Sequence, residues 1–220
     1  ITRYQAMTKY IEVLGAEQPS LFTGLPRETE QAIIAVDEPF KNLRLNKRWT
    51  LTLYPTSGFA EMEGLPLEEY TDVVVNASLA DPAPLKQYEA AIYDVMQGAK
   101  QMEIVTRCPH KDRDLTLTLS IEDRLIQQSY GIHNWPDGEV FTSPDSRSPS
   151  GEIYFDLPVM YSGASIQGIY LRLEEGKIVE YSAEKGAEQL TNIIETDRGS
   201  HRLGEVALGM NPGLQRVLTH

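Results

Sequence analysis

Two glutamates carry the clearest chemical signal in the chain. Glu139 and Glu205 each follow a glycine and each open an apolar stretch, in Gly138-Glu139-Val140-Phe141-Thr142 and Gly204-Glu205-Val206-Ala207-Leu208. A carboxylate entering a buried run is costly unless a cation or hydrogen bonds compensate it, so the pair invites a metal ion. The competing account places each glutamate on the exposed edge of a strand or at a helix start, and composition alone favours that account. The other candidates are weaker. His110-Lys111-Asp112 has a spacing that can put two ligands on one metal, but Pro109, Lys111 and Arg113 describe a solvated, basic turn that discourages a dication. His133, beside Asn134 and Trp135, suits a site or a packed loop equally. Cys108, at the end of an expected strand, reads as a small buried apolar group. Asn76-Ala77-Ser78 matches a glycosylation sequon by chance inside an expected helix. The chain has no glycine-rich phosphate cradle, no GxSxG elbow, no CxxC and no HExxH, and its catalytic residues remain unknown at this stage.

The elements that must position these residues change character along the chain. Lys9 to Gly15 reads as a short buried strand and Arg27 to Leu43 as a helix. Trp49, Leu51 and Leu53 alternate with Thr50, Thr52 and Tyr54 as in a half-buried strand. Two amphipathic helices follow. One spans Leu67 to Ala80, with Leu67, Tyr70, Val73, Val74 and Ala77 inward. The other spans Pro84 to Ala99, with Leu85, Tyr88, Ile92, Val95 and Met96 inward. A strand from Gln101 to Cys108 completes a β-α-α-β unit, which argues for some parallel pairing.

Downstream, strands follow one another. Leu115, Leu117, Leu119 and Ile121 share one face, and Ile153, Phe155 and Leu157 alternate with Glu152, Tyr154 and Asp156. Glu174-Glu175-Gly176 joins two strands as a hairpin. A helix of about ten residues from Glu184 turns Ala187, Leu190 and Ile194 inward. The fold class is therefore α+β, with an α/β part over residues 1–113 and an antiparallel, β-rich part over 114–220 that carries one helix.

Composition narrows the function classes. The 220 residues hold 20 Lys and Arg against 32 Asp and Glu, a net charge of −12 that repels phosphate backbones and anionic headgroups. Nucleic acid and membrane are not expected as partners, and no apolar run approaches the roughly 18 residues of a membrane span. One cysteine excludes an internal disulfide and fits a reducing, cytoplasmic setting.

Several linked strings, in order, carry a resemblance. They are Trp135 to Pro144, Gly151-Glu152-Ile153, the hairpin from Gly168 to Gly186, Thr196-Asp197, and Arg202 to Gly213, with Arg48 to Thr56 and Leu67 to Tyr70 extending the match upstream. Together they resemble the thermophilic-type metallo-aminopeptidases, the aminopeptidase T, aminopeptidase S and PepS group. The resemblance implies a two-metal exopeptidase that removes the N-terminal residue of a peptide. It implies divalent ions (zinc, cobalt or magnesium) and a homodimer. It makes Glu139 and Glu205 metal ligands and places a further histidine and a His-x-Asp pair beyond the Asn211-Pro212-Gly213 turn. His220 stands too close to Glu205 to be that histidine. The expectation is thus a fragment from the middle of a longer enzyme. The alternatives are a non-catalytic binding or oligomerisation module of the same descent, and a scaffold turned to iron chemistry such as ring cleavage.

Overall fold

The computed structural model describes residues 2–18, 27–161 and 164–219. In chain order the elements are α1 (Thr2–Ala6), β1 (Lys9–Leu14), α2 (Arg27–Leu45), β2 (Arg48–Leu53), α3 (Ser57–Met62), α4 (Leu67–Ser78) and α5 (Pro82–Gly98). Strands then dominate: β3 (Gln101–Cys108), β4 (Arg113–Ser120), β5 (Gln127–Ser129), β6 (Asn134–Trp135), β7 (Glu139–Thr142), β8 (Ser150–Phe155), β9 (Val159–Tyr161) and β10 (Ala164–Ile166). The last elements are β11 (Ile169–Glu174), β12 (Lys177–Ser182), α6 (Ala187–Ile194) and β13 (Val206–Gly209). The α+β class read from the pattern is the class observed.

Contacts divide the chain into two compact units, one of residues 1–82, 129–137 and 211–217, the other of 83–128, 138–210 and 218–220. In the first unit β1 and β6 flank β2, both parallel to it, so the parallel pairing is between β1 and β2 across α2. β3, expected to return beside β2, instead joins the sheet of the second unit. The α4 stripe is correct at Tyr70, Val74 and Ala77, which are buried, while Leu67 at the first turn is exposed. Thr56 caps α3, an element the pattern did not signal, by accepting a hydrogen bond from the Phe59 amide.

The second unit is built on a five-stranded sheet in the order β12-β11-β8-β4-β3, antiparallel throughout. Its inner face meets α5 and α6 through Leu117, Leu119, Ile153, Leu171, Leu173, Met96, Leu190 and Ile194. Burying each large aliphatic side chain contributes about 1.5–3 kcal/mol, so the β4 leucines alone weigh heavily in this unit. The β11–β12 connection is two residues, Glu175 and Gly176, at φ 48° and 76°. Both lie in the left-handed region that a tight hairpin of this twist requires. In α5 the inward stripe is Leu85, Glu89, Ile92 and Met96. Tyr88 and Val95, expected inside, are exposed. The helix is turned so that a carboxylate, Glu89, lies fully inside. Phe155 and Leu157 are likewise exposed, and Tyr154, just before them, is buried. Among the described residues no helix is long and apolar enough to cross a membrane.

Candidate metal centre

Glu139 is the first residue of β7, and Glu205 immediately precedes β13. The two strands pair antiparallel, with Glu139 opposite Gly209, Phe141 opposite Ala207 and Thr142 opposite Val206. Side chains alternate across a strand, so the residues of each directly opposed pair share a face. Val140 and Thr142 face the core, fully buried, and Val206 packs beside them. Glu139, Phe141 and Ala207 therefore occupy the outward face. Glu205 stands just before the first paired residue of β13, Val206, at the end of the ribbon opposite to Glu139. Glu139 is half-buried and Glu205 exposed.

Local features explain why β7 starts where it does. Met210 donates its amide to the Gly138 carbonyl at 2.8 Å, which extends the ladder to the residue before Glu139. At the other end the Thr142 hydroxyl donates to the Leu125 carbonyl at 2.9 Å, so this buried polar group is satisfied by backbone. In the first unit, the loop leading to β7 is held by Asp137, whose Oδ2 accepts from the Ser129 hydroxyl and the Gly131 amide, both at 2.8 Å. The Asn211 side-chain amide donates to the carbonyls of Asp137 at 2.6 Å and Ala77 at 3.0 Å, and its Oδ1 accepts the Gly213 amide at 2.8 Å. A side chain at Gly213 would strike the α4 backbone at Asn76, which gives the Asn-Pro-Gly turn its glycine. Neither Asp137 nor Asn211 was singled out from the sequence. The signal available was the turn tripeptide itself.

The remaining candidates are accounted for by structure. His110 and Asp112 do not converge: His110 Nε2 lies 2.7 Å from Glu184 Oε1, and Asp112 pairs with Arg107 at 2.7 Å. His133 stacks on Trp49, with ring centroids 4.4 Å apart and planes 8° from parallel, and its Nδ1 is 3.3 Å from the Trp49 carbonyl. It is the packed loop histidine. Cys108 is a free, buried thiol grouped with Leu115, Tyr154 and Tyr170. His220 lies outside the described residues. Among the described residues no group of three or more His, Cys, Asp or Glu side chains converges.

The outer face of the five-stranded sheet carries a second polar assembly. Register places Tyr154 opposite Tyr170 and Glu152 opposite Arg172, with Ser182 and Glu180 continuing the two rows on β12. Glu152 Oε1 accepts from the Tyr170 hydroxyl at 2.6 Å and from Lys111 Nζ at 3.0 Å, and Oε2 is paired with Arg113. The tyrosine hydroxyl first, then the two cations, hold its carboxyl down to about 2. The Tyr154 hydroxyl donates to Glu184 Oε1, which pushes the phenol up to about 12 and lowers the carboxyl.

The model of the thermophilic metalloprotease (M29) family matches residues 3–218, and the chain belongs to that family. Aminopeptidase AmpS of Bacillus subtilis is 45% identical over 75 residues, which are 34% of this chain and 18% of that protein. Aminopeptidase T of Thermus aquaticus is 44% identical over 75 residues, with the same coverage. Aminopeptidase PepS of Streptococcus thermophilus is 33% identical over 101 residues, covering 42% of this chain and 24% of that one. Among solved structures, wild-type AmpT from Thermus thermophilus superposes with a TM-score of 0.73 at 25% identity, over 94% of this chain and 57% of that one. The dihydroxypyridine dioxygenase of Pseudomonas putida KT2440, at 17% identity and a TM-score of 0.55, shares the fold. The matched stretches thus span about a fifth of the curated relatives and somewhat over half of the AmpT chain.

Proposed function

We propose that this chain is part of a metal-dependent aminopeptidase in which Glu139 and Glu205 are carboxylate ligands to a pair of divalent ions, zinc, cobalt or magnesium. The observation that supports it is the β7–β13 pairing, in which the strand that Glu139 opens lies beside the strand that Glu205 immediately precedes. Hard oxygen donors suit such ions. The ions would supply Lewis acidity toward a scissile carbonyl and acidify water. The chain's own residues do the holding. The Met210 and Thr142 hydrogen bonds fix the strand that carries Glu139, and Phe141 is paired with Ala207 beside it. The substrate is a peptide with a free amino terminus. A homodimer in the cytoplasm completes the reading, in keeping with a single reduced, buried cysteine.

Isothermal calorimetry with cobalt(II) tests the ligand assignment. Two carboxylates alone bind a dication weakly, so the 220-residue chain is expected to show dissociation constants near millimolar that weaken at least fivefold in Glu139→Gln and in Glu205→Gln. Binding that both variants leave unchanged refutes the assignment.

A further inference from the structure

We propose that the free edge of β3 is a self-complementary surface on which a second copy of this chain docks antiparallel, joining two five-stranded sheets across a twofold axis at Val105. This gives the homodimer of the preceding section its surface and rests on that part of the reading, independently of the metal ligands. The sheet has two outer strands, β12 and β3. β12 is closed by its own chain, because the Ile178 amide donates to the His201 carbonyl at 2.9 Å. β3 has no such cover among the described residues. Its hydrogen-bonding phase is fixed by the Ile121 amide, which donates to the Lys100 carbonyl at 3.0 Å. In the β3–β4 register this turns the backbone of the even-numbered residues toward β4 and leaves the N–H and C=O of Glu103, Val105 and Arg107 facing out from the sheet edge. Pro109, next in that series, has no N–H to offer and ends the usable stretch.

Charge selects the partner and the register. Glu103 is exposed and makes no ion pair among the described residues. Arg107 spends one N–H on Asp112 and one on Asp114, pairs so open to water that they hold it weakly, and keeps its other donors for a further carboxylate. A twofold at Glu103 would oppose two glutamates, and one at Arg107 two arginines. A twofold at Val105 sets Glu103 opposite the partner's Arg107 on both sides of the axis. The axis pair, Val105 against the partner's Val105, covers a side chain that is 55% exposed. On the other face Met102 and Ile104 pack on the core and are still only half-buried, so the apolar layer runs out to the edge, where an added strand extends it. One short strand pair buries less than the roughly 1,200 Å² of a standard interface, so the dimer dissociates at about 10–100 μM.

Sedimentation equilibrium of the 220-residue chain tests this, with a monomer–dimer equilibrium as the expected result. Glu103→Arg and Arg107→Glu each oppose like charges and should weaken the dimer at least about tenfold, while the double variant Glu103→Arg/Arg107→Glu restores unlike pairs and should recover it to within about threefold. Val105→Cys reads the axis directly and serves if a charge variant folds poorly. Hydrogen-bonded Cα atoms about 5.5 Å apart suit a disulfide, so mild oxidation should link this variant to itself. Wild type, whose Cys108 is buried, and Val179→Cys, at a 46% exposed position on β12, should stay unlinked. A dimer that the single variants leave unchanged, a double variant no tighter than the singles, or linkage through position 179 overturns this surface and leaves the homodimer reading standing. A chain that remains monomeric at about 1 mM, well above the expected constant, overturns both. The metal assignment is read by a separate titration and is untouched by either result.

Discussion

Replacing Glu152 by glutamine removes a charge from a carboxylate of the second unit that is held by three side chains, while keeping its shape. Its carboxyl is drawn from 4.5 to about 2, first by the Tyr170 hydroxyl and then by Arg113 and Lys111. At 1.36 kcal/mol per unit this difference corresponds to about 3.4 kcal/mol, an upper bound because Arg113 and Lys111 are partly in solvent. About 1.5–3 kcal/mol is the expected loss at pH 7, which for a domain of this size lowers Tm by about 4–10 °C. The sign follows from the depressed value. The carboxylate's contribution is complete above its unfolded pKa near 4.5 and is lost as pH falls through about 2. Urea unfolding of wild type and Glu152→Gln at pH 7, 5, 4 and 3 should give a difference that is constant from 7 to 5 and shrinks below that. A difference that keeps its full size at pH 3, or one under about 0.5 kcal/mol at pH 7, refutes the assignment of this stabilisation to the ionised carboxylate.

Two further substitutions test the packing and the turn. Leu117→Ala empties a site that is 1% exposed in the inner face of the sheet and should cost about 2–5 kcal/mol by the same urea measurement. Asn211→Ala deprives the Asp137 and Ala77 carbonyls of their donor and should cost about 1–3 kcal/mol, with faster amide exchange at Gly213, whose N–H loses its acceptor.

The regular part of this fold was legible because strict periodicity left little choice. Leu115, Leu117, Leu119 and Ile121 alternate, and all four are buried. In α5 the apolar pattern points to Tyr88 and Val95, which are exposed, and passes over Glu89, which is buried, because such a pattern cannot nominate a carboxylate for the interior. Phe155 and Leu157 followed the alternation and yet face solvent, since the strand ends at Phe155 and the chain leaves the sheet. At the candidate centre the residue types were visible, glycine then glutamate, but the neighbourhood of β7 and β13 was not. It depends on a pairing between strands more than sixty residues apart. The same holds for His110, whose partner Glu184 is 74 positions away. Local spacing suggested Asp112, and long-range packing chose otherwise.

The β7–β13 ribbon has two sides with different duties. Val140, Thr142 and Val206 hold it to the hydrophobic interior, while Glu139, Phe141 and Ala207 stand on the reverse and Glu205 is exposed just before β13. On the proposed assignment, folding depends on one side and metal binding on the other, so either can drift without disturbing its counterpart. A lineage could therefore exchange its acids and keep an intact molecule, and a thermal melt would not register the loss. Libraries randomised at positions 141 and 207 should yield mostly well-folded members in which any change of chemistry is separable from any change of stability.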